Sequence, residues 1–489
     1  MPFTPACSTA CCTAPSRAGC RCRRSCCRST CRSWATARTW SASGTSAPTR
    51  ETTCHSTEGL TAILVFGQEK LTCTTTRRRR RGRGASTLEE VMHEYNICFP
   101  GYQVAHDLFG VYATDIYTDE SIKIIKAHNK SSPLFLMVAH SAVHSGNPSE
   151  PLRAPDALLP NCSHIANRQR QKYAAMVTKL DESVGRVVEA LQAEGLLQDS
   201  IVLFSTDNGG PAAGFNDNAA SNFPLRGVKN TLWEGGVRGA GALWSARLAR
   251  GARVATQRLH VADWLPTLLA AAGYTGTLSG LDGIDQWRAL SEDLPSNRTT
   301  LLHNIDDIYG SASITVDQWK IHKGSNYNGA WDFWYGPSGR EHAYDPALPL
   351  ASAAGRALGR LGLMPSREKV LQLREAATVQ CGNHEPTACR PLLAPCLFNI
   401  RDDPCETRNL ADREPEVLKR MLEELERVNR TAVPPGNREL DPRGDPRHWG
   451  RVYTNFGDYV PDLATSPRPK PSAFHNVNNF FDFLGPPYT

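Results

Sequence analysis

Two short segments carry residues whose types suit joint chemistry. Asp207-Asn208-Gly209-Gly210 follows an apolar run, SIVLFST, and sets a carboxylate beside an amide oxygen ahead of two glycines. Oxygens of that kind suit a hard cation such as Ca²⁺, which takes about six to eight of them, and the glycines let the backbone turn away from the ion. The same four residues also make a common turn. His144, in AHSAVHSG, follows a second apolar run, and His140 competes with it at the same strand end. A lone histidine is more often a core or surface residue than a catalyst. The third component is PLRGVKNTLWEGGVRG (224 to 239), which sets Lys229 between two glycine-containing turns. It places a cation where it could hold an anionic group near the metal.

These groups need a rigid frame, and the surrounding sequence predicts one. Ser132 to Ala139 (SPLFLMVA) reads as a buried strand delivering His144. Tyr173, Met176, Val177, Leu180, Val184, Val187, Val188 and Leu191 recur at helical spacing, so 168 to 194 is an amphipathic helix stopped by Gly195. Ser200 to Thr206 is a second buried strand, delivering Asp207 and Asn208. Strand, helix, strand predicts a βαβ unit and a largely parallel sheet, with reactive groups at the carboxyl ends of its strands. Further on, 260 to 273 reads as a helix, 314 to 323 and 396 to 400 as strands, and 414 to 430 as a charged amphipathic helix. That order predicts a smaller α+β domain over 311–432, after an α/β domain over 85–310. Residues 346 to 372 read as an insertion of no evident role, and 433–489 as a tail along the surface.

Charge and cysteine divide the chain sharply. The net charge is +6, yet residues 1–84 hold 15 Lys and Arg against 3 Glu, so everything after them is net acidic. A nucleic-acid role would therefore rest on the front alone, and none is expected of the body. Ten of the sixteen cysteines lie at or before Cys73; Cys98, Cys162, Cys381, Cys389, Cys396 and Cys405 remain. The last four suit local disulfides in an oxidising compartment, for example Cys396 with Cys405, although spacing does not fix the pairing. Sequons at Asn129, Asn161, Asn297 and Asn429 agree with export and N-glycans. No apolar run approaches a membrane span of about 20 residues, and no signal peptide with an apolar core starts the chain.

STDNGG, PLRGVKNTLWEGGVRG, HVADWLPTLLAAAG, LDGIDQW and LLHNID together resemble the sulfatase family, most closely its arylsulfatase B-like branch. The match runs from about residue 100 to 310 and resumes at CLFNIRDDPCETRNL, near 396 to 410. The resemblance implies an alkaline phosphatase-like α/β fold, with a large mixed sheet flanked by helices. It also implies one Ca²⁺, and hydrolysis of sulfated carbohydrate or aryl sulfate by a lysosomal or secreted enzyme. Carried over, Asp207 and Asn208 become metal ligands, while Lys229 and His144 contact the sulfate or the leaving-group oxygen. A metal-dependent phosphodiesterase of the same superfold would need two metals and more His or Asp ligands. A noncatalytic glycan-binding relative is the third reading.

The family's other parts are missing from these 489 residues. There is no early Asp-Asp pair, no Gly-Lys-Trp-His, and no Cys-x-Pro-Ser-Arg, the motif whose Cys becomes formylglycine. CTAPSR at Cys12 to Arg17 has one residue too many between Cys and Pro. Lys320-Ile321-His322 repeats a Lys-x-His spacing but falls late, in a predicted strand, and reads as structural. The front, with its CRCRRSCCRSTC, makes sense when its codons are read one base out of step. Trp40 to Ala47 then permits VGKWHLG, residues 53 to 69 permit LPLHRGFDSYFGFWSG, and residues 1 to 12 permit ALHTGLQHSVL. Residues 1–84 are therefore expected to be an aberrant, structureless segment translated out of frame. The competing readings are a zinc site, a disulfide cap, an arginine-rich nucleic-acid arm, or a nuclear signal at Arg77 to Arg81. No ligand spacing such as paired C-x-x-C supports the first. The chain as written is expected to bind Ca²⁺ poorly and to turn over nothing.

Overall fold

The computed structural model describes residues 61–66, 98–99, 103–104, 108, 110–146, 150–337, 344–382, 385–436, 441–444 and 448. The chain divides into two compact units, one holding 61–66 and 111–436, the other holding 98–99, 103–104 and 441–444 among the described residues. Strand β1 (Thr61–Phe66) belongs to the first, while β2 (Cys98–Phe99) and β3 (Gln103–Val104) form a short antiparallel pair in the second. β1 departs from the expectation that 1–84 lacks structure, because TAILVF is itself an apolar run, half of it β-branched, suited to a strand. The rest of that segment lies outside the described residues, as does most of the tail from 433.

The chain is a mixed α/β protein, as expected. Helix α1 (Ala113–Ala127) leads into β4 (Leu134–Ala139), which pairs in parallel with β1, Thr61 opposite Leu134 and Phe66 opposite Ala139. Helix α2 (Arg168–Ala193) begins at Asn167, whose side chain accepts the Arg170 backbone N–H at 2.9 Å. It ends where Gly195 turns left-handed at φ 71° and Leu196 N–H donates back to the Leu191 carbonyl at 2.8 Å. Strand β5 (Val202–Ser205) follows. Then come the short helix α3 (Glu234–Val237) and β6 (Gly241–Trp244), which pairs with β5 in antiparallel fashion. Among the described residues β4 and β5 share no ladder, so the parallel βαβ pairing expected of them is not formed directly.

Helices α4 (Trp264–Ala271) and α5 (Trp287–Glu292) join this part to the C-terminal sheet. That sheet is antiparallel, in the order β10-β9-β8-β7, made of β7 (Thr300–Asp306), β8 (Ser311–Val316), β9 (Trp319–Lys323) and β10 (Cys396–Asn399). The single strand expected over 314 to 323 is thus a tight hairpin. Val316 faces Trp319 across Asp317, whose left-handed φ of 49° fits a two-residue turn. Between β9 and β10 lie α6 (Ala347–Ala351), α7 (Ala353–Arg360) and α8 (Arg367–Ala377).

The segment read as an insertion without a role has one. Ala354, Ala357, Leu358 and Leu361 form an apolar stripe on α7 that packs against Val184, Val188 and Leu191 of α2. Gly185 lets the two helices meet, since a Cβ there would lie 2.9 Å from the Ala353 methyl. The helix α9 (Pro415–Asn429) covers the C-terminal sheet, with Val417, Met421 and Leu425 against Ile314, Ile321 and Leu397.

Among the described residues the disulfides are Cys381–Cys405 and Cys389–Cys396, which corrects the pairing of Cys396 with Cys405. The returning chain brings Leu410, not Cys405, beside β10: Leu410 N–H bonds the Leu397 carbonyl at 2.8 Å. Cys405 is left on the turn between them, within reach of Cys381.

Candidate functional site

At the carboxyl end of β4 the chain turns, His144 N–H donating to the Ser141 carbonyl at 2.9 Å. The imidazole lies between two groups. Nδ1 is 2.7 Å from the Ser145 carbonyl oxygen, and Nε2 is 2.9 Å from Lys229 Nζ. A carbonyl oxygen only accepts and an ammonium only donates, so Nδ1 carries the proton and Nε2 presents its lone pair. This geometry assigns His144 as the neutral Nδ1–H tautomer in contact with a cationic Lys229.

Lys229 reaches this position from a loop held by backbone contacts. Its N–H donates to the Gly210 carbonyl at 3.1 Å, and Gly209 N–H donates to the Gly236 carbonyl at 2.9 Å. Glycines at 209 and 236 leave room for this close backbone packing. A Cβ on Gly209 would fall 1.8 Å from the Gly235 carbonyl oxygen, and one on Gly236 would fall 2.3 Å from the Thr231 oxygen. Asn222 closes the loop by accepting from Gly210 N–H at 2.8 Å and donating to the carbonyls of Gly210 and Gly227.

Behind the loop lies a buried polar network that sequence reasoning missed. Lys320 Nζ pairs with Glu234 at 2.8 Å and Glu406 at 2.9 Å, and Glu406 also accepts the Glu234 backbone N–H at 2.7 Å. Arg226 lies 3.6 Å from the Trp233 ring and 4.5 Å from that of Trp334, donating to the carbonyls of Asp332 and Glu406. Trp233 donates its indole N–H to Asp332 at 2.8 Å and stacks on His322 at 4.0 Å. The late Lys-x-His pair is therefore structural, as its position suggested. Burial disfavours charge on Lys320, but Glu234 and Glu406 outweigh that and hold it above the usual lysine range. Burial pushes Glu406 up to about 7, against the pull of Lys320, with Glu234 adding to the rise. One ammonium does not fully neutralise two buried carboxylates. His303 and His322 are pushed well down by burial, with Lys320 adding to it. His140, the competitor at the end of β4, packs toward Ser183 at 3.3 Å and is lowered to about 4 by burial. It faces the helices, not Lys229.

Asp207 and Asn208 sit at the carboxyl end of β5, Asp207 exposed and Asn208 half-buried with its amide N–H on the Gly209 carbonyl at 2.8 Å. They stand one residue before the Gly209–Gly210 contacts to the Lys229 loop. Among the described residues no three His, Cys, Asp or Glu side chains converge on a common point. Two oxygen-bearing side chains fall well short of the six to eight donors that Ca²⁺ takes, so the described residues do not make a complete calcium site.

The remaining motif residues are structural. Asp263 of HVADW is fully buried, accepts N–H bonds from His260 and Ile284, and pairs with Arg298. Thr267 accepts from Gln286 N–H at 2.9 Å. HVADWLPTLL and LDGIDQW thus form one joint.

Residues 47–274 match the family model described as Sulfatase, a match that starts inside the segment read as out of frame. The chain is 35% identical over 364 residues to mouse (Mus musculus) arylsulfatase J, covering 70% of this chain and 53% of that protein. It is 28% identical over 210 residues to human N-acetylgalactosamine-6-sulfatase, covering 43% of this chain and 38% of that one. A solved structure, the crystal structure of Ps i-CgsB, is 22% identical, with a TM-score of 0.48 and coverage of 73% of this chain and 61% of that one. The chain spans about half the length of the mouse relative and less of the human one. The matched span contains the turn bearing His144, the end of β5 and the loop that brings Lys229 to His144, so residues 47–274 carry a sulfatase-family domain.

Proposed function

We propose that this chain is built on the plan of a sulfuric ester hydrolase of the arylsulfatase B-like branch, with sulfated sugars or aryl sulfates as substrates. The supporting observation is the 2.9 Å contact between Lys229 and His144, which joins two distant motifs into one cationic, hydrogen-bonding pair. A sulfate ester entering here would take the Lys229 ammonium onto its sulfate oxygens, the stronger charge-assisted partner. That frees Nε2 of His144 beside the ester oxygen. To protonate a departing alcohol, His144 must first gain a proton at Nε2 while Nδ1–H stays on Ser145.

The family chemistry also calls for a formylglycine and Ca²⁺. Cys-x-Pro-Ser-Arg does not occur in the sequence, and among the described residues no three His, Cys, Asp or Glu side chains gather to hold a metal. The chain as written therefore keeps an anion-holding half-site and is expected to turn over no sulfate ester. A location in the lysosome or outside the cell is supported by the two disulfides and by the exposure of all four sequon asparagines, Asn129, Asn161, Asn297 and Asn429. No helix of the described residues is long and apolar enough to cross a membrane.

The test has two arms. Sulfate titrated into the purified chain should perturb the His144 resonances, and Lys229→Ala should abolish that response; an unchanged response in the variant would sink the anion-site reading. Turnover of an aryl sulfate by the chain as written would overturn the reading that it is inactive. Sequencing the transcript across codons 1–90 checks the frame shift: an in-frame transcript encoding the nucleophile motif supports an enzyme, and a confirmed slip supports an inactive paralogue.

A further inference from the structure

We infer that Asn218 is a positioning residue that decides which ring nitrogen of His144 faces the anion. The inference rests on His144 and Lys229 forming the anion-holding pair. Asn218 is 3% exposed, and its side chain uses all four of its hydrogen-bonding positions. Oδ1 accepts the N–H groups of Ala219 at 2.8 Å and Ala220 at 3.0 Å, which fixes the amide within its own loop. Nδ2 donates to the Val143 carbonyl at 3.3 Å and to Ser145 Oγ at 3.0 Å. Those two acceptors belong to the residues on either side of His144.

The consequence passes through Ser145. Its side chain is buried and held by Asn218, and its carbonyl oxygen receives His144 Nδ1–H at 2.7 Å. With that acceptor fixed, the proton stays on Nδ1 and the lone pair of Nε2 points at Lys229. Without it, the imidazole has no fixed reason to keep the proton on Nδ1, and Nε2–H would set a donor against the Lys229 ammonium. The loop bearing Asn218 is itself anchored, with Arg170 of α2 bonded to the Ala219 carbonyl. Only an amide does this: a carboxylate at 218 would keep the two acceptor bonds to Ala219 and Ala220 but lose both donors and face the Val143 carbonyl with a negative charge.

The tautomer can be read directly. In the full chain, long-range ¹H–¹⁵N spectra of the His144 ring, assigned by the loss of its signals in His144→Gln, should show the Nδ1–H form. Asn218→Asp and Asn218→Ala should mix in the Nε2–H form and weaken sulfate binding about 3- to 10-fold, the weight of one net hydrogen bond, with circular dichroism unchanged. Lys229→Ala should remove sulfate binding yet leave Nδ1 protonated, which a general loss of structure would not do. If both Asn218 variants fail to fold, Ser145→Ala decides, since it deletes only the hydroxyl that Asn218 holds and should also mix the tautomers. Retention of pure Nδ1–H in the folded Asn218 variants, or in Ser145→Ala when it alone folds, overturns the inference. A tautomer that follows residue 218 in a chain that binds no sulfate upholds the positioning role and removes the anion-site reading instead.

Discussion

Two lysines meet the loop 226–236, Lys229 as part of it and Lys320 against it through Glu234, and they are treated in opposite ways. Lys320 is fully buried and neutralised by two carboxylates, Glu234 and Glu406. Lys229 is half-buried, forms no ion pair among the described residues, and touches a neutral imidazole. A cation that must accept an incoming anion cannot already be satisfied by a carboxylate, because breaking that pair would cancel most of what the anion gains. A cation that only holds structure must be satisfied, because burial leaves it no water. The surrounding elements follow the same division. The Lys320 side is closed by aromatic stacking and the helix-covered C-terminal sheet, whereas Lys229 is half-buried beside the turn after β4 and the glycines after β5.

The contrast is tested most severely by removing each ammonium. Lys320→Ala leaves Glu234 and Glu406 buried without their cation and should cost about 3–5 kcal/mol, read from urea unfolding. A cost below about 1 kcal/mol would mean that the buried cluster does not anchor the loop.

The pH dependence of stability sharpens the same point, since the buried groups pull in opposite directions. Glu406 lies above its unfolded value near 4.5, so its contribution is full below that pH and is lost as pH rises through about 7. Glu406→Gln should therefore flatten the loss of stability between those values. His140, lowered to about 4, contributes stability above its unfolded value near 6.5 and loses it as pH falls through about 4. His303 and His322 act in the same direction as His140. The urea midpoint of His140→Phe measured across this range should lose part of its acid limb; an unaltered limb would show that His140 is not held neutral by burial.

The smallest effect should come from Lys229→Ala. Its ammonium has one neutral partner, so the unfolding free energy should move by no more than about 1 kcal/mol while sulfate binding disappears. A large loss of stability there would place Lys229 with Lys320, as part of the frame.

The helices and strands whose signals are local were legible without the structure. The stripe from Tyr173 to Leu191 with its stop at Gly195 gave α2 almost to the residue, and the apolar runs ending at Ala139 and Ser205 gave β4 and β5. The hairpin at Asp317 was missed because β8 and β9 together read as one alternating run, and a two-residue turn hardly interrupts it. The pairing of Cys381 with Cys405 was missed because it depends on where the chain returns after β10. The role of α7 was invisible because its short apolar stripe has meaning only against α2. The site shows the same split. Lys229 and His144 were named from the motifs around them, but Glu234, Glu406 and Asn218 were not. A buried acid carries no periodicity, and Glu406 meets Glu234 across 172 residues. The one local signal for Glu234 was its place in WEGG, between an indole and two glycines.

The sequence by itself determined the motifs that resemble the sulfatase family, the secondary elements with strong periodicity, and the candidate residues Lys229 and His144: these rest on patterns over a few neighbouring positions. Tertiary structure alone decided the tautomer of His144, the partnering of the two lysines and the disulfide pairing. Each depends on which groups from distant parts of the chain share one small, poorly hydrated volume, and there the electrostatic terms that set protonation and pairing grow large.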